Sequence, residues 1–317
     1  MKNLTIQILA FILFFSAGLQ AQENHKEKAV HEINLSDMDN TKQFSFLDPL
    51  LKDTKVIGLG EASHGTEEFF TIKAMLVKHL INNLDYQVLA FEMDETVAEA
   101  INQFVLHGTG DPKEKLKSYG LYNSQTLYEL IDWIRESNSK KKAEDKVQVS
   151  GFDSEAYWAD PFARDSLMAK NFIDKMEDKK YMLWAHNTHL VKSNTWDITH
   201  SEIKAMGNIL AQKLKDQYYL LIFDTHEGTF NVFEDGALKE YPFEMDKKAL
   251  AVQDLSKQYP AFFLDASDPA FSKESTYPIA GLFANWQGKP KSMPAKATSD
   301  FDGLIYILKT TASKAIE

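Results

Sequence analysis

Residues 55–65 read Lys-Val-Ile-Gly-Leu-Gly-Glu-Ala-Ser-His-Gly, an apolar run that becomes polar after Leu59. The run Lys55–Leu59 predicts a buried strand, and glycines at positions 60 and 65 let the chain turn tightly and approach other groups closely. Thr66 can cap a following helix, whose apolar residues recur at helical spacing up to Leu80. A strand, a polar loop and a helix in this order are typical of one α/β unit.

The same alternation continues along the chain. Further strands are predicted at residues 86–91, 147–152, 181–185 and 218–223, with short ones at 229–233, 261–264 and 304–308. Helices are predicted over residues 95–106, 127–137, 162–176 and 202–214, and residues 107–126 are expected to form a loop or small lid. These elements predict an α/β fold with a mostly parallel central sheet flanked by helices, and an active-site cleft at the carboxyl ends of the strands.

Composition restricts the class of protein. The chain has 317 residues, of which 44% are hydrophobic, enough for a large core. Its formal net charge of −11 disfavours nucleic acid and membrane surfaces as partners, since both carry negative charge. There is no cysteine, so disulfides, thiol nucleophiles and thiolate metal sites are excluded. A small molecule is the expected partner, with no stable membrane association.

The amino terminus has the pattern of a signal peptide. Lys2 precedes a nearly apolar stretch from Ile8 to Leu19, and small or neutral residues end at Ala21. We expect cleavage after Ala21, which would leave a formal charge of −12 because Lys2 is the only charged residue removed. The apolar stretch is short for a retained membrane anchor, the alternative reading. Residues 1–21 are thus predicted to direct export to the periplasm or medium, residues 22–42 to be a flexible lead-in, and residues 43–317 to form the functional domain.

Chemically capable side chains follow five successive predicted strands. The carboxyl ends of parallel strands converge on one edge of a sheet, where ligands bind. The residues delivered there are Glu61 and His64, Glu92, Asp153 with Glu155, His186 with His189, and His226 with Glu227. The last two follow a strand that looks peripheral, and a solvated turn would explain them.

His64 is the strongest candidate for acid–base chemistry, because imidazole takes protons near neutral pH. Glu61 and Glu92 could orient the ring and stabilise its charged form. His186 and His189 are three positions apart, so both rings can face one way and stabilise an oxyanion or protonate a leaving alcohol. Each of these residues also has a purely structural alternative. His64 could be a surface histidine in a plain turn, and Glu92 could cap a helix or pair with a basic side chain. Either His186 or His189 could serve only in packing or capping.

Two residues are candidates for contacting a substrate. Lys73 shares a helix face with Phe69 and Leu76, so it either points back over the cleft or extends its ammonium to solvent from a half-buried face. Asp153 ends the third strand, where it either faces the cleft or caps the next helix. No G-x-S-x-G elbow, phosphate-binding loop, dinucleotide fingerprint or H-E-x-x-H pair is present.

These motifs, in this order, resemble those of the erythromycin esterase family. The resemblance rests on the segments Gly60–Gly65, Phe91-Glu92, Arg164-Asp165 with Met168 and Asn171, Ala185–His189, and Phe301–Tyr306. It implies hydrolysis of a macrolide lactone, and so antibiotic resistance, or of another ester. In the family the histidine matching His64 is the proposed general base, and residues matching Glu61, Glu92, His186 and His189 line the cleft. The family has a cleft arginine where this chain has Lys73, which keeps the charge but loses the planar fork.

Three hypotheses follow. The first is an exported, cofactor-free hydrolase in which His64 activates water to cleave an ester or lactone. The second is a metallohydrolase with a divalent ion held by Glu61, His64, Glu92, His186 and His189. The third is a non-catalytic protein that holds haem or another small ligand in the same cleft.

Overall fold

The computed structural model describes residues 30–37, 39–193, 204–268 and 276–317. Its strands are β1 Val30–Glu32, β2 Val56–Leu59, β3 Tyr86–Asp94, β4 Gln148–Asp153, β5 Lys180–Trp184, β6 Tyr218–Glu234, β7 Ala237–Glu244, β8 Ala261–Asp265, β9 Tyr277–Gly281, β10 Lys291–Ala295 and β11 Gly303–Thr310. Its α-helices are α1 Asp48–Leu51, α2 Glu67–Asn83, α3 Glu95–His107, α4 Pro112–Tyr119, α5 Gln125–Asn138, α6 Pro161–Asp174, α7 Asn187–Leu190, α8 Met206–Leu214 and α9 Leu250–Leu255. Short 3-10 turns lie at Thr41–Leu47, Ala143–Asp145, Glu155–Ala159 and Lys215–Gln217.

The fold is α/β with one large sheet, as predicted. The sheet order is β1-β8-β11-β6-β2-β5-β3-β4, and β7 adds to β6 as the second arm of a hairpin. The run from β11 to β4 is parallel throughout, whereas β8, β1 and β7 pair antiparallel. β9 and β10 form a separate antiparallel pair. The carboxyl ends of β2, β5, β3 and β4 therefore lie side by side at one edge, where the candidate residues follow them.

Both faces of the sheet are buried beneath helices. Alternate residues of β3 face opposite sides, so Leu89 and Phe91 join one core while Val88 and Ala90 join the other. Helices α1 to α5 contribute residues to the first core, and helices α6 to α9 contribute residues to the second. Burial on both faces explains why these strands are continuous apolar runs. None of the helices in the described ranges has the length and apolarity needed to cross a membrane.

The structure corrects three predictions about the elements. Residues 229–233 are not a separate strand but the continuation of β6, which stays extended because β7 pairs with it through a hairpin. The expected loop over residues 107–126 contains α4, whose start at Asp111-Pro112 has a capping carboxylate that accepts from the N–H groups of Lys113 and Glu114.

The third correction concerns the flexible lead-in over residues 22–42. Within it, Val30–Glu32 pairs with β8, the His31 ring stacks on Phe46 with centroids 4.0 Å apart, and Ile33 is buried. A short apolar segment at the sheet edge is thus ordered by packing. The predicted signal peptide at 1–21, the first part of the lead-in and the predicted start of a helix at 202 lie outside the described residues.

Candidate active site

The loop after β2 is held from several sides. The N–H of Gly60 donates to the carbonyl of Leu221, and the carbonyl of Gly65 accepts from the N–H groups of Asn231 and Ser313, each at 2.9 Å. A Cβ atom at Gly65 would lie 2.0 Å from the carbonyl oxygen of Asn231, so only glycine allows this approach. The loop therefore presents Glu61 and His64 in a fixed geometry.

Glu61 and His64 form a tight pair. His64 Nδ1 lies 2.7 Å from Glu61 Oε1, and because a carboxylate only accepts, Nδ1 carries the hydrogen and Nε2 the lone pair. The other oxygen of Glu61 accepts from Lys73 Nζ at 2.6 Å and from Trp184 Nε1 at 3.0 Å. Burial alone would raise the pKa of Glu61, but Lys73 and His64 lower it below its usual value. Glu61 is thus an ionised orienting partner for the imidazole.

Glu92 lies on the other side of His64. Its Oε1 accepts from Arg164 Nη2 at 2.9 Å and from His189 Nε2 at 3.1 Å, and its Oε2 accepts from the backbone N–H of His186 at 2.9 Å. His64 Nε2 is 3.9 Å from Oε2, beyond a direct hydrogen bond. Burial opposes the charge of Glu92, but His189, His64 and Arg164 hold its pKa well below the usual value. The carboxylate therefore faces His64 Nε2 without binding it.

Arg164 and His189 supply the positive charge. Arg164 binds both oxygens of Asp153, at 3.3 Å through Nε and 2.7 Å through Nη2, in addition to Glu92. His189 Nδ1 donates to Asp165 Oδ1 at 2.7 Å. Burial alone would lower the pKa of His189, but Asp165 and Glu92 raise it to about 10. His189 is therefore an imidazolium at neutral pH.

His186 has a different role from the one predicted. Its Nε2 donates to the carbonyl of Ala62 at 3.0 Å, and its Nδ1 accepts from the hydroxyl and N–H of Thr188 at 2.8 and 3.3 Å. Burial first, and the nearby charge of His64 next, lower the pKa of His186 to about 3. With both ring nitrogens engaged, it neither protonates a leaving group nor holds an oxyanion; it ties the His64 loop to α7.

Lys73 and Asp153 were predicted to contact substrate, and the structure corrects this for both. Each side chain is 0% exposed, with Lys73 behind Glu61 and Asp153 behind Arg164. The ammonium of Lys73 also lies 4.6 Å from the centroid of the Trp184 ring. Burial lowers the pKa of Lys73 to about 8 despite the opposing effect of Glu61. The lysine neither reaches the cleft nor extends to solvent, since α2 packs fully against the sheet.

The charges of the site nearly balance. Glu61, Glu92, Asp153 and Asp165 face the cations Lys73, Arg164 and His189, which leaves one negative charge when His64 is neutral. A proton on His64 neutralises the group. Burial lowers the pKa of His64, but Glu92 and Glu61 outweigh it and raise the value above 6.5. The arrangement therefore favours taking up a proton at His64 Nε2.

A divalent metal does not fit these residues. Among the described residues, no three His, Asp or Glu side chains converge as a ligand set. Of the five ligands predicted for the metallohydrolase, His186 has both nitrogens engaged, and the Glu61 oxygens already accept from His64, Lys73 and Trp184.

The structure brings to the site further candidate residues that the sequence did not single out. Arg164 and Asp165 were noted only as part of a motif, although an Arg-Asp pair near the start of a helix after a strand end is a usable signal. Tyr122 was assigned to a loop, yet its buried ring lies edge-on to His64 with centroids 5.9 Å apart. His226 lies in a separate cavity with Asp224 and Lys248. The contact between Tyr122 and His64 could not be predicted, because no sequence pattern links these two residues.

The family model for erythromycin esterase matches residues 81–163 and 155–310, over half of the chain. The chain belongs to the erythromycin esterase family. This member is 31% identical over 159 residues to YbfO of Bacillus subtilis (strain 168), named as a candidate hydrolase, and 34% identical over 118 residues to erythromycin esterase type II of Escherichia coli. Those matches cover 47% and 36% of this chain, and 34% and 27% of the two relatives. The chain thus spans about a third of the length of the curated relatives it matches.

Solved structures share the fold of this family member. A Bacillus cereus protein superposes with a TM-score of 0.76 at 19% identity, covering 91% of this chain and 97% of its own. A succinoglycan biosynthesis protein gives 0.77 at 18% identity, covering 94% and 99%. A mutant of the erythromycin esterase EreC in its open conformation gives 0.66 at 13% identity, covering 91% and 99%. These likenesses confirm the fold class.

Proposed function

We propose that this protein is a hydrolase that cleaves an ester or lactone with a water molecule activated by His64. The observation that carries the proposal is the Glu61–His64 pair. His64 Nδ1 is hydrogen-bonded to the Glu61 carboxylate at 2.7 Å, which leaves Nε2, 3.9 Å from Glu92 Oε2, free to accept a proton. Membership of the erythromycin esterase family supports hydrolysis. Macrolide lactones and simple esters are the substrate classes to test.

His64 acts as the general base. Water hydrogen-bonded to Nε2 loses its proton as it attacks the acyl carbon, and the imidazolium that forms lies between Glu61 and Glu92, which stabilise its charge. The Nδ1 bond to Glu61 holds the ring in the tautomer that accepts at Nε2. In the next step the same proton passes to the leaving alkoxide, so that acid and alcohol are the products.

Arg164 and His189 are the candidates to stabilise the oxyanion. Their side chains are 23% and 17% exposed and His64 is 13% exposed, so all three reach the cleft, whereas Lys73 does not. Both cations are held by carboxylates, so they are in place before charge develops on the substrate oxygen. They take the role first considered for the histidine pair and Lys73.

The test is a hydrolysis screen of the purified protein against macrolides and simple esters, run in ¹⁸O-labelled water and analysed by mass spectrometry. One labelled oxygen is expected in the acid product. His64→Ala should lower kcat/KM by roughly 10²–10⁴-fold while circular dichroism shows an unchanged fold. A His64→Ala protein that cleaves the same substrate at the wild-type rate would exclude this mechanism.

We also propose that the protein works outside the cytoplasm, after cleavage behind Ala21. The support is the order of Lys2, the apolar stretch and the small residues at its end. Amino-terminal sequencing of the protein recovered from the periplasm or medium should give Gln22 as the first residue. A protein retained in the cytoplasm with its first residues intact would contradict export.

A further inference from the structure

Trp158 is an exposed aromatic side chain in direct contact with the charged residues of the site. Of the four tryptophans in the described residues it alone is exposed, at 47%. Its indole N–H donates to Asp153 Oδ2 at 3.0 Å, and the same oxygen accepts from Arg164 Nη2 at 2.7 Å. Because both groups bind one oxygen atom, the indole ring and the guanidinium are neighbours.

The ring of Trp158 is held in one position. It lies in the 3-10 turn Glu155–Ala159, whose first N–H donates to Asp94 Oδ2 at 3.2 Å. Directly after the turn, Asp160 caps α6 by accepting from two N–H groups of the first helical turn. The backbone is thus held at both ends of the turn, and the bond to Asp153 orients the indole. A ring that is already ordered loses little conformational entropy when a ligand stacks on it.

An unbroken series of contacts joins Trp158 to His64. Arg164, whose side chain is 23% exposed, lies 3.3 Å from His189 Nε2 through Nη1 and 2.9 Å from Glu92 Oε1 through Nη2. The other oxygen of Glu92 lies 3.9 Å from His64 Nε2. Trp158 is at the outer end of this series. A ligand group on its ring would therefore lie away from the bond that is cleaved, in a remote part of the substrate.

The part of Trp158 that is available to a ligand is an apolar ring face. Its only hydrogen-bond donor, the indole N–H, is already bonded to Asp153. The charge of Arg164 disfavours a cationic group beside the ring, and because Asp153 and Glu92 already balance that charge, an anionic group gains little there. Resting on the proposed function, we infer that the substrate carries an uncharged ring, set apart from its ester bond, which stacks on Trp158 and determines specificity.

Two series of esters test the inference. Phenylalkyl acetates place a ring on the alcohol side and methyl phenylalkanoates place it on the acyl side, with a spacer of increasing length between the ring and the ester. In one series kcat/KM should pass through a maximum at one spacer length, about tenfold above the open-chain ester with the same number of carbons. The gain should appear in KM, because a remote stacking contact is the same in the ground state and the transition state.

Two variants separate the ring face of Trp158 from its indole N–H. Trp158→Leu removes both and should abolish the maximum by raising KM about tenfold at that spacer length. Trp158→Phe removes the N–H but keeps a ring, so it should retain part of the maximum. Trp133→Leu is the matched control, because Trp133 is half-buried on α5, with the Lys78 ammonium 5.7 Å from its ring centroid. It should leave the profile unaltered.

Binding without hydrolysis is measured with 4-phenylbutanol, an alcohol that has no bond for the protein to cleave. In saturation-transfer NMR its ring protons should receive magnetisation from the wild type and from Trp133→Leu. The transfer should be lost in Trp158→Leu.

The outcomes separate the two proposals. A rate that does not depend on spacer length, or a maximum that persists in Trp158→Leu, overturns the ring assignment while hydrolysis stands. If Trp158→Leu and Trp158→Phe lower kcat equally for every ester, Trp158 only positions Asp153 and Arg164, and the inference is wrong. Binding of 4-phenylbutanol that is lost in Trp158→Leu, in a protein that cleaves no ester, supports the ring site and overturns the proposed function.

Discussion

Two histidines on consecutive turns of the chain are held in opposite protonation states. His186 contacts a backbone carbonyl and a threonine, and burial lowers its pKa to about 3. His189 lies between Asp165 and Glu92, which outweigh its burial and raise its pKa to about 10. Histidine is thus a neutral hydrogen-bonding side chain at position 186 and a permanently charged one at position 189.

This difference can be measured by NMR of protein carrying ¹⁵N-labelled histidine. Between pH 4.5 and 9, His186 should keep the shifts of a neutral ring with hydrogen on Nε2, and His189 those of an imidazolium. Assignment comes from His186→Gln and His189→Gln spectra. Either ring titrating near 6.5 would contradict the assigned contacts.

In the proposed mechanism, the pH dependence of catalysis is set by His64. Because the base must be neutral and its pKa is raised above 6.5, kcat/KM should fall as pH drops through that raised value. Glu61→Gln removes one of the carboxylates that raise the pKa, so the acid limb should move to lower pH and kcat should fall roughly 10²–10⁴-fold. Rate profiles of the two proteins from pH 5 to 9 test this. An acid limb that does not move would mean that another group controls it.

The candidate residues could be predicted from the sequence because they follow strands, and strand ends converge. Glu61, His64, Glu92 and His189 do meet in one cluster. The protonation of His186 could not be predicted, since its partner Ala62 is 124 positions away in the chain. The position of Lys73 on an apolar helix face does not predict its ion pair with the buried Glu61, because a lysine in such a position more often extends to solvent.

The loop between β2 and α2 is held by segments that lie much later in the chain. The carbonyl of Gly65 accepts from Asn231 of β6 and from Ser313 beyond β11, and Glu68 accepts from the N–H and hydroxyl of Thr311. Local sequence predicts the strand, the loop and the helix, because each has its own periodicity. It cannot predict these clamps, which join residues more than 160 positions apart.

Gly65→Ala tests the clamp. The new Cβ would lie 2.0 Å from the Asn231 carbonyl oxygen, so the loop must shift. This shift should lower the free energy of unfolding by about 1–3 kcal/mol and remove most of the activity. Gly236→Ala is the control, since Gly236 has a φ of 80° in the β6–β7 turn and an added Cβ meets nothing within 4 Å. It should lose about 1 kcal/mol through backbone strain and keep its activity. Urea denaturation and kcat/KM measure both, and a fully active Gly65→Ala would refute the clamp.

For the whole molecule, the site charges make stability depend on pH. His189 has a folded pKa of about 10 against an ordinary 6.5, so its stabilisation is complete below pH 6.5 and is lost as the pH rises through 10. The effect of Lys73 on stability has the opposite sign. Its pKa is lowered from 10.5 to about 8, so the free energy lost by burying its charge becomes smaller as the pH rises from 8 to 10.5. The histidine effect is therefore clearest between pH 6.5 and 8.

Across that interval the free energy of unfolding should fall about 2 kcal/mol further in the wild type than in His189→Asn. Because the charge of His189 also lowers the pKa of His64, the same comparison is repeated with His64→Gln in both proteins, which leaves His189 as the titrating difference between them. Urea denaturation at pH 6.5 and 8 provides the numbers. Equal slopes in the two proteins would show that His189 is not held as a cation.

The position of β11 in the sheet has a consequence for biosynthesis. Residues 303–310 form an interior strand between β6 and β8, with the tail that clamps the His64 loop directly after them. Until the ribosome has released this strand, β6 and β8 each lack a neighbour and the sheet cannot close. The loop that carries Glu61 and His64 is made early but reaches its clamped geometry only after residue 313 has been synthesised, because Ser313 donates to the carbonyl of Gly65.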